Sequence, residues 1–107
     1  MVKMIESADE FNALIAEGGK VVVDCFAEWC GPCKRIAPFV AELEEKNSDV
    51  TFIKIDVDEL DELAQKLSIS AMPTFIFFSG GKEVEELRMV GASNEKLEST
   101  VAQLKAK

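Results

Sequence analysis

The sequence predicts an α/β protein built on a mixed β-sheet, and three observations lead there. Apolar residues alternate between short β-branched runs and helical spacing, in the order βαβαβαββα. The early strand–helix–strand units demand right-handed crossovers and therefore parallel pairing. Late in the chain, Gly80-Gly81 separates two strand-like runs and marks an antiparallel hairpin. Helices must then cover both faces of the sheet.

Each element has its own signal. "VKMI" at 2–5 is a short strand. "SADEFNALIAEG" opens on Ser7 with Glu10 three residues later, a capping box. Its Phe11, Leu14 and Ile15 share one helical face, and Gly18-Gly19 stops it. "KVVVDCF" is apolar toward both faces, as a central strand must be. Ile36, Phe39, Val40 and Leu43 then recur at helical spacing, which predicts a helix to about residue 46. Pro38 lies inside it and is expected to kink it. "VTFIKIDV" is a strand. "DELDELAQKLS" at 58–68 is an amphipathic helix with its acids at the N-terminal end, where the helix dipole favours them. "TFIFFS" and "KEVEELRMV" form the hairpin, and "SNEKLESTVAQLKA" is the closing helix.

Length and charge narrow the function. The 107 residues suit one domain spanning 1–107. No apolar run approaches the length of a membrane span. The N-terminal "MVKMIESADEF" lacks the basic and apolar regions of a secretory signal, so no membrane partner and a cytoplasmic location are expected. The net charge of −8 repels phosphates and argues against nucleic acid as a partner. With no histidine, the commonest metal ligand and general base are both missing. Chemistry must come from cysteine, carboxylate, lysine or backbone.

The stretch "AEWCGPCKR" carries two of the three cysteines, Cys30 and Cys33. A structural zinc site wants four Cys or His ligands, and only Cys25 remains, inside an apolar strand. No metal is therefore expected. A fixed structural disulfide closes too small a loop to remove much unfolded-state entropy. A redox role fits best. Positions i and i+3 of a first helical turn share one face, near enough to join and reopen. Cys30 at the helix N-terminus gains from the dipole and from free N–H groups, which stabilise a thiolate. Lys34 and Arg35 add positive charge. Cys33, one turn further in, is expected to be the more covered. Cys30 is thus the nucleophile and Cys33 the resolving thiol.

With "WCGPCK" at a strand–helix junction, "VVVDCFAEW" before it, "MPTFIFF" after it and "VGA" near the end, the whole chain resembles the thioredoxin family. Its details are most similar to the eukaryotic cytosolic type. The resemblance implies the thioredoxin fold, a five-stranded mixed sheet in the order 1-3-2-4-5 flanked by four helices. It also implies an enzyme that reduces protein disulfides. Its partners are then disulfide-containing client proteins and a thioredoxin reductase, which passes electrons from NADPH with no cofactor bound to this chain. A monomer is expected. The rival from another class is a redox-switched binding module that uses the same surface.

Other residues are read against that background. Asp24 interrupts an apolar run, and a carboxylate there is costly to bury. It either lies at a solvated strand end or sits beneath the cysteines as proton acceptor for Cys33; the resemblance places a buried aspartate at this position. Lys54 in the neighbouring strand is a candidate to tune Asp24, or a lysine that snorkels to solvent. Cys25 reads as a small core residue. Trp29 directly precedes the nucleophile and reads as an apolar shield and part of the partner-binding face. Pro73 suits an ordinary strand start. The resemblance implies instead a cis Met72–Pro73 bond opposite the cysteines, with the Met72 backbone pairing with an extended client and Gly91 and Ala92 leaving room for it. Gly31 and Pro32 are the redox-tuning pair. Pro32 brings no charge and no N–H, where more oxidising relatives carry a histidine. Ala71 stands where some animal members carry a further cysteine.

Overall fold

The structure, a computed structural model, describes residues 2–107; Met1 lies outside the described residues. In chain order the elements are β1 (Lys3–Met4), α1 (Ala8–Ala16), β2 (Val21–Phe26), α2 (Gly31–Lys46), β3 (Thr51–Asp56), α3 (Asp61–Lys66), β4 (Thr74–Ser79), β5 (Lys82–Glu83), a 3-10 turn (Glu85–Leu87), β6 (Met89–Val90) and α4 (Asn94–Lys105). The sheet runs β1-β3-β2-β4-β5, with β6 also paired to β4. β2 lies at its centre, parallel to β3 and antiparallel to β4. The register sets Asp24 beside Lys54 on one side and Phe75 on the other.

The two faces of β2 feed two cores, because successive strand side chains alternate. Val21, Val23 and Cys25 pack with Phe11 and Ile15 of α1 and Leu63 and Ala64 of α3. Val22 packs on the other face with Ile36, Val40 and Leu43 of α2 and Leu97, Val101 and Leu104 of α4. Of the predicted core positions of α1 and α2, Phe11, Ile15, Ile36, Val40 and Leu43 are buried, and Leu14 and Phe39 are half-buried against the cores. α2 runs through Pro38 as one helix to Lys46.

Three expected elements come out differently. The strand expected over "KEVEELRMV" is split, which makes the sheet six-stranded. Glu83 pairs with Phe78, and Met89 pairs with Phe75, so the register slips by the three residues of the 3-10 turn. The turn drops Leu87 into the core while Glu85 and Glu86 stay in water, which a continuous strand does not allow. α3 begins at Asp61 and ends at Lys66, inside the 58–68 expected. The Asp56 carboxylate accepts the Asp58 N–H at 2.9 Å and holds 58–60 in a turn. β1 is confined to Lys3–Met4, although the Ile5 N–H still donates to the Lys54 carbonyl at 2.9 Å.

Candidate active site

Cys30 and Cys33 are joined as a disulfide at the N-terminus of α2, with their Cα atoms 5.3 Å apart. β2 ends at Phe26, and a short turn delivers Cys30 as the N-cap residue of α2. Its Sγ accepts the Cys33 N–H at 3.2 Å, filling the capping role an oxygen usually takes. The first turn of α2 carries no acid, and Lys34 and Arg35 beside it are exposed. That setting is electropositive and suits a sulfur anion. The expected difference in cover between the two cysteines is not seen, since each is only 4% exposed. Gly31 and Pro32, between them, are exposed at the surface.

Behind Cys33 lies a cleft of about 130 Å³ lined by Asp24, Phe26, Ala27, Glu28, Cys33, Lys34, Ala37 and Lys54. The buried Asp24 therefore faces the same space as Cys33. The Asp24 Oδ1 is buried with no hydrogen-bond partner among the described residues. Burial drives its pKa up from 3.8 to about 7, and the nearby Lys54 charge partly opposes the rise. Among the described residues no ion pair joins Asp24 to Lys54; the ammonium lies 5.8 Å from the Phe26 ring centroid. Lys54 thus acts on Asp24 through its field across the cleft. Cys25 is fully buried on the opposite face, where burial, and next the Asp24 charge, push its thiol pKa upward. It is inert by the same physics that would make Cys30 reactive.

Around the disulfide lies a surface of unlike parts. Trp29 is 68% exposed, and its indole N–H donates to Asp58 Oδ2 at 2.9 Å. The ring is thus held by a residue of the turn before α3. The Met72–Pro73 peptide is cis. Met72 is half-buried, packed on the core under α1 and α3, and Pro73 is buried. The Gly91 N–H donates to the Pro73 carbonyl at 2.9 Å, so the residues after β6 lie against the start of β4. Gly91 has φ of +110°, a conformation that only glycine takes without strain. Ala92 follows, half-buried against the core under α2 and α4.

Of the residues singled out by sequence, the structure gathers Cys33, Asp24 and Lys54 around one cleft, with Cys30 joined to Cys33. It brings Pro73 and Gly91 together as a second group. Sequence reasoning missed Asp58 and Arg88. Arg88 donates to both Glu83 carboxylate oxygens and to the carbonyls of Leu67 and Ser68. Neither residue carries a local signal, because their partners lie 29 residues away for Asp58 and up to 21 away for Arg88.

Comparison with known proteins points one way. The family model described as thioredoxin matches residues 2–103. Thioredoxin-2 of Saccharomyces cerevisiae is 50% identical over 103 residues, covering 95% of this chain and 97% of that protein. The solved structure of Plasmodium falciparum thioredoxin superposes with a TM-score of 0.91 at 42% identity, covering 95% of this chain and 98% of the other. The oxidized form of mitochondrial thioredoxin 3 from Saccharomyces cerevisiae superposes with a TM-score of 0.90 at 34% identity, covering 95% and 94%.

Proposed function

The chain belongs to the thioredoxin family, whose members are thiol–disulfide oxidoreductases that reduce protein disulfides, and from that membership we propose how its residues divide the work. In the reduced protein the Cys30 thiolate attacks one sulfur of a client disulfide. The client's other sulfur leaves as a thiolate and takes a proton from water. Cys33 gives its proton to the Asp24 carboxylate and attacks Cys30 Sγ. The Cys30–client bond breaks, the second client thiolate leaves, and Cys30–Cys33 closes. Two electrons pass from this chain to the client. The second attack is intramolecular, so the mixed disulfide is short-lived.

Lys54 lowers the proton affinity of Asp24 and keeps more of it as carboxylate. Gly31 and Pro32 form the redox-tuning pair, in which Pro32 brings the Cys30 thiolate neither charge nor N–H, which favours giving electrons over taking them. Trp29, Met72, Pro73, Gly91 and Ala92 receive the client as an extended segment. We place the whole chain, 1–107, in one monomeric cytoplasmic domain. Its electrons come from NADPH through a thioredoxin reductase and go to disulfide-bonded proteins.

The observation that carries this reading is the Cys30–Cys33 disulfide at a helix N-terminus, sharing a cleft with an unpartnered buried aspartate. The test is NADPH-linked reduction of insulin in the presence of a thioredoxin reductase. Catalytic NADPH oxidation is expected, and its loss in Cys30→Ser. Binding of insulin without turnover would contradict it and favour a redox-switched binding module.

A further inference from the structure

We propose that Arg88 is a positioning residue for client binding: its guanidinium ties together the two segments that wall the groove beside the disulfide. The inference rests on the reading that Met72, Pro73, Gly91 and Ala92 take up an extended client. On that reading one wall is the chain from the end of α3 through 67–72 to the cis proline. The other is β6 running into Gly91.

Arg88 reaches the first wall and anchors the second. Its Nη2 donates to the Leu67 carbonyl at 2.8 Å and its Nη1 to the Ser68 carbonyl at 3.3 Å. Those carbonyls lie at the end of α3, where helical partners run out. Ser68 has φ of +59°, the left-handed turn that sends the chain toward Pro73. Nε and Nη2 meanwhile grip the Glu83 carboxylate in a two-pronged pair at 2.9 and 3.0 Å. Both side chains are mostly covered, at 26% and 18% exposure, so water screens the pair little. Glu83 belongs to β5, which the sheet holds against β4. Arg88 itself directly precedes β6, and three residues later the Gly91 N–H meets the Pro73 carbonyl. One planar donor fork therefore links the segment that leads to Pro73 with the start of β6, whose pairing with β4 brings Gly91 to Pro73. A lysine ammonium is a point charge and cannot make this planar, bidentate set.

The test uses the whole protein as Arg88→Ala, Arg88→Lys and Glu83→Gln, assayed with insulin and with a small aryl disulfide that spans no groove. For Arg88→Ala and Arg88→Lys, KM for insulin is expected to rise roughly tenfold with kcat kept within about twofold, the size of effect that a small misplacement causes. Glu83→Gln is expected to shift it in the same direction by less. The aryl disulfide should react at the wild-type rate, and the Gly91 amide should exchange its hydrogen faster. Equal losses on both substrates, or an unchanged insulin KM, would overturn the proposal. If Arg88→Ala fails to fold, Arg88→Lys gives the same comparison. Should the wild type reduce no insulin, the functional reading fails instead. Gly91 exchange then decides the positioning role alone, and unchanged exchange in Arg88→Lys refutes it.

Discussion

Asp24 stands among Val21, Val22, Val23 and Phe26 with a buried oxygen that has no hydrogen-bond partner among the described residues. Between 3.8 and about 7 the folded chain holds a proton on Asp24 that the unfolded chain has released. Stability therefore falls as pH rises through that window and levels off above it. Asp24→Asn removes the titration and nearly keeps the shape. It should stabilise the protein by about 1–4 kcal/mol at about pH 8, the range seen when buried charges are replaced. The gain should shrink as pH falls through the window and be smallest below 3.8, where the unfolded state is protonated as well. Denaturant melts of both proteins in one redox state measure this, and a variant less stable at neutral pH would mean that Asp24 is solvated or ion-paired. The same titration governs chemistry. Only the carboxylate accepts a proton, so release of the mixed disulfide should quicken as pH rises through about 7. In Asp24→Asn that step should be slow and lose this pH dependence, as stopped-flow kinetics would record.

Elements differ in how far their own residues determine them. α1 is held by a local device: Ser7 Oγ accepts the Glu10 N–H at 3.1 Å, and Glu10 Oε1 accepts the Glu6 N–H at 2.7 Å. Ser7→Ala should cost about 1 kcal/mol of stability, a typical loss for an N-cap, and leave disulfide reduction unchanged. A melt showing no loss would mean that packing of Phe11 and Ile15 alone fixes the helix. Because that cap lies within four residues, it was legible in the sequence. So were Cys30 and Cys33, fixed by their spacing, and Asp24, a charge in an apolar run. The split of the last strand was not legible. Alternation across "KEVEELRMV" suits a strand, and only the core waiting for Leu87 makes the 3-10 turn the better solution. Asp58 and Arg88 were hidden for a related reason: their partners are brought near only by the finished fold.

At the scale of the molecule, the sheet separates two cores and carries its chemistry at one end of β2. The Cys30–Cys33 disulfide, the cleft behind it and the exposed Trp29 ring lie there, while Cys25 is sealed inside the core. This arrangement makes a whole-protein prediction about which sulfur a client meets first. The most direct measurement of the central claim is to incubate Cys33→Ser with a disulfide-bonded protein and map the adduct by peptide mass spectrometry. Attack survives without the resolving thiol, so a stable mixed disulfide is expected on Cys30 alone. An adduct on Cys25, or none, would contradict the assignment of Cys30 as nucleophile and Cys33 as the residue that releases the client.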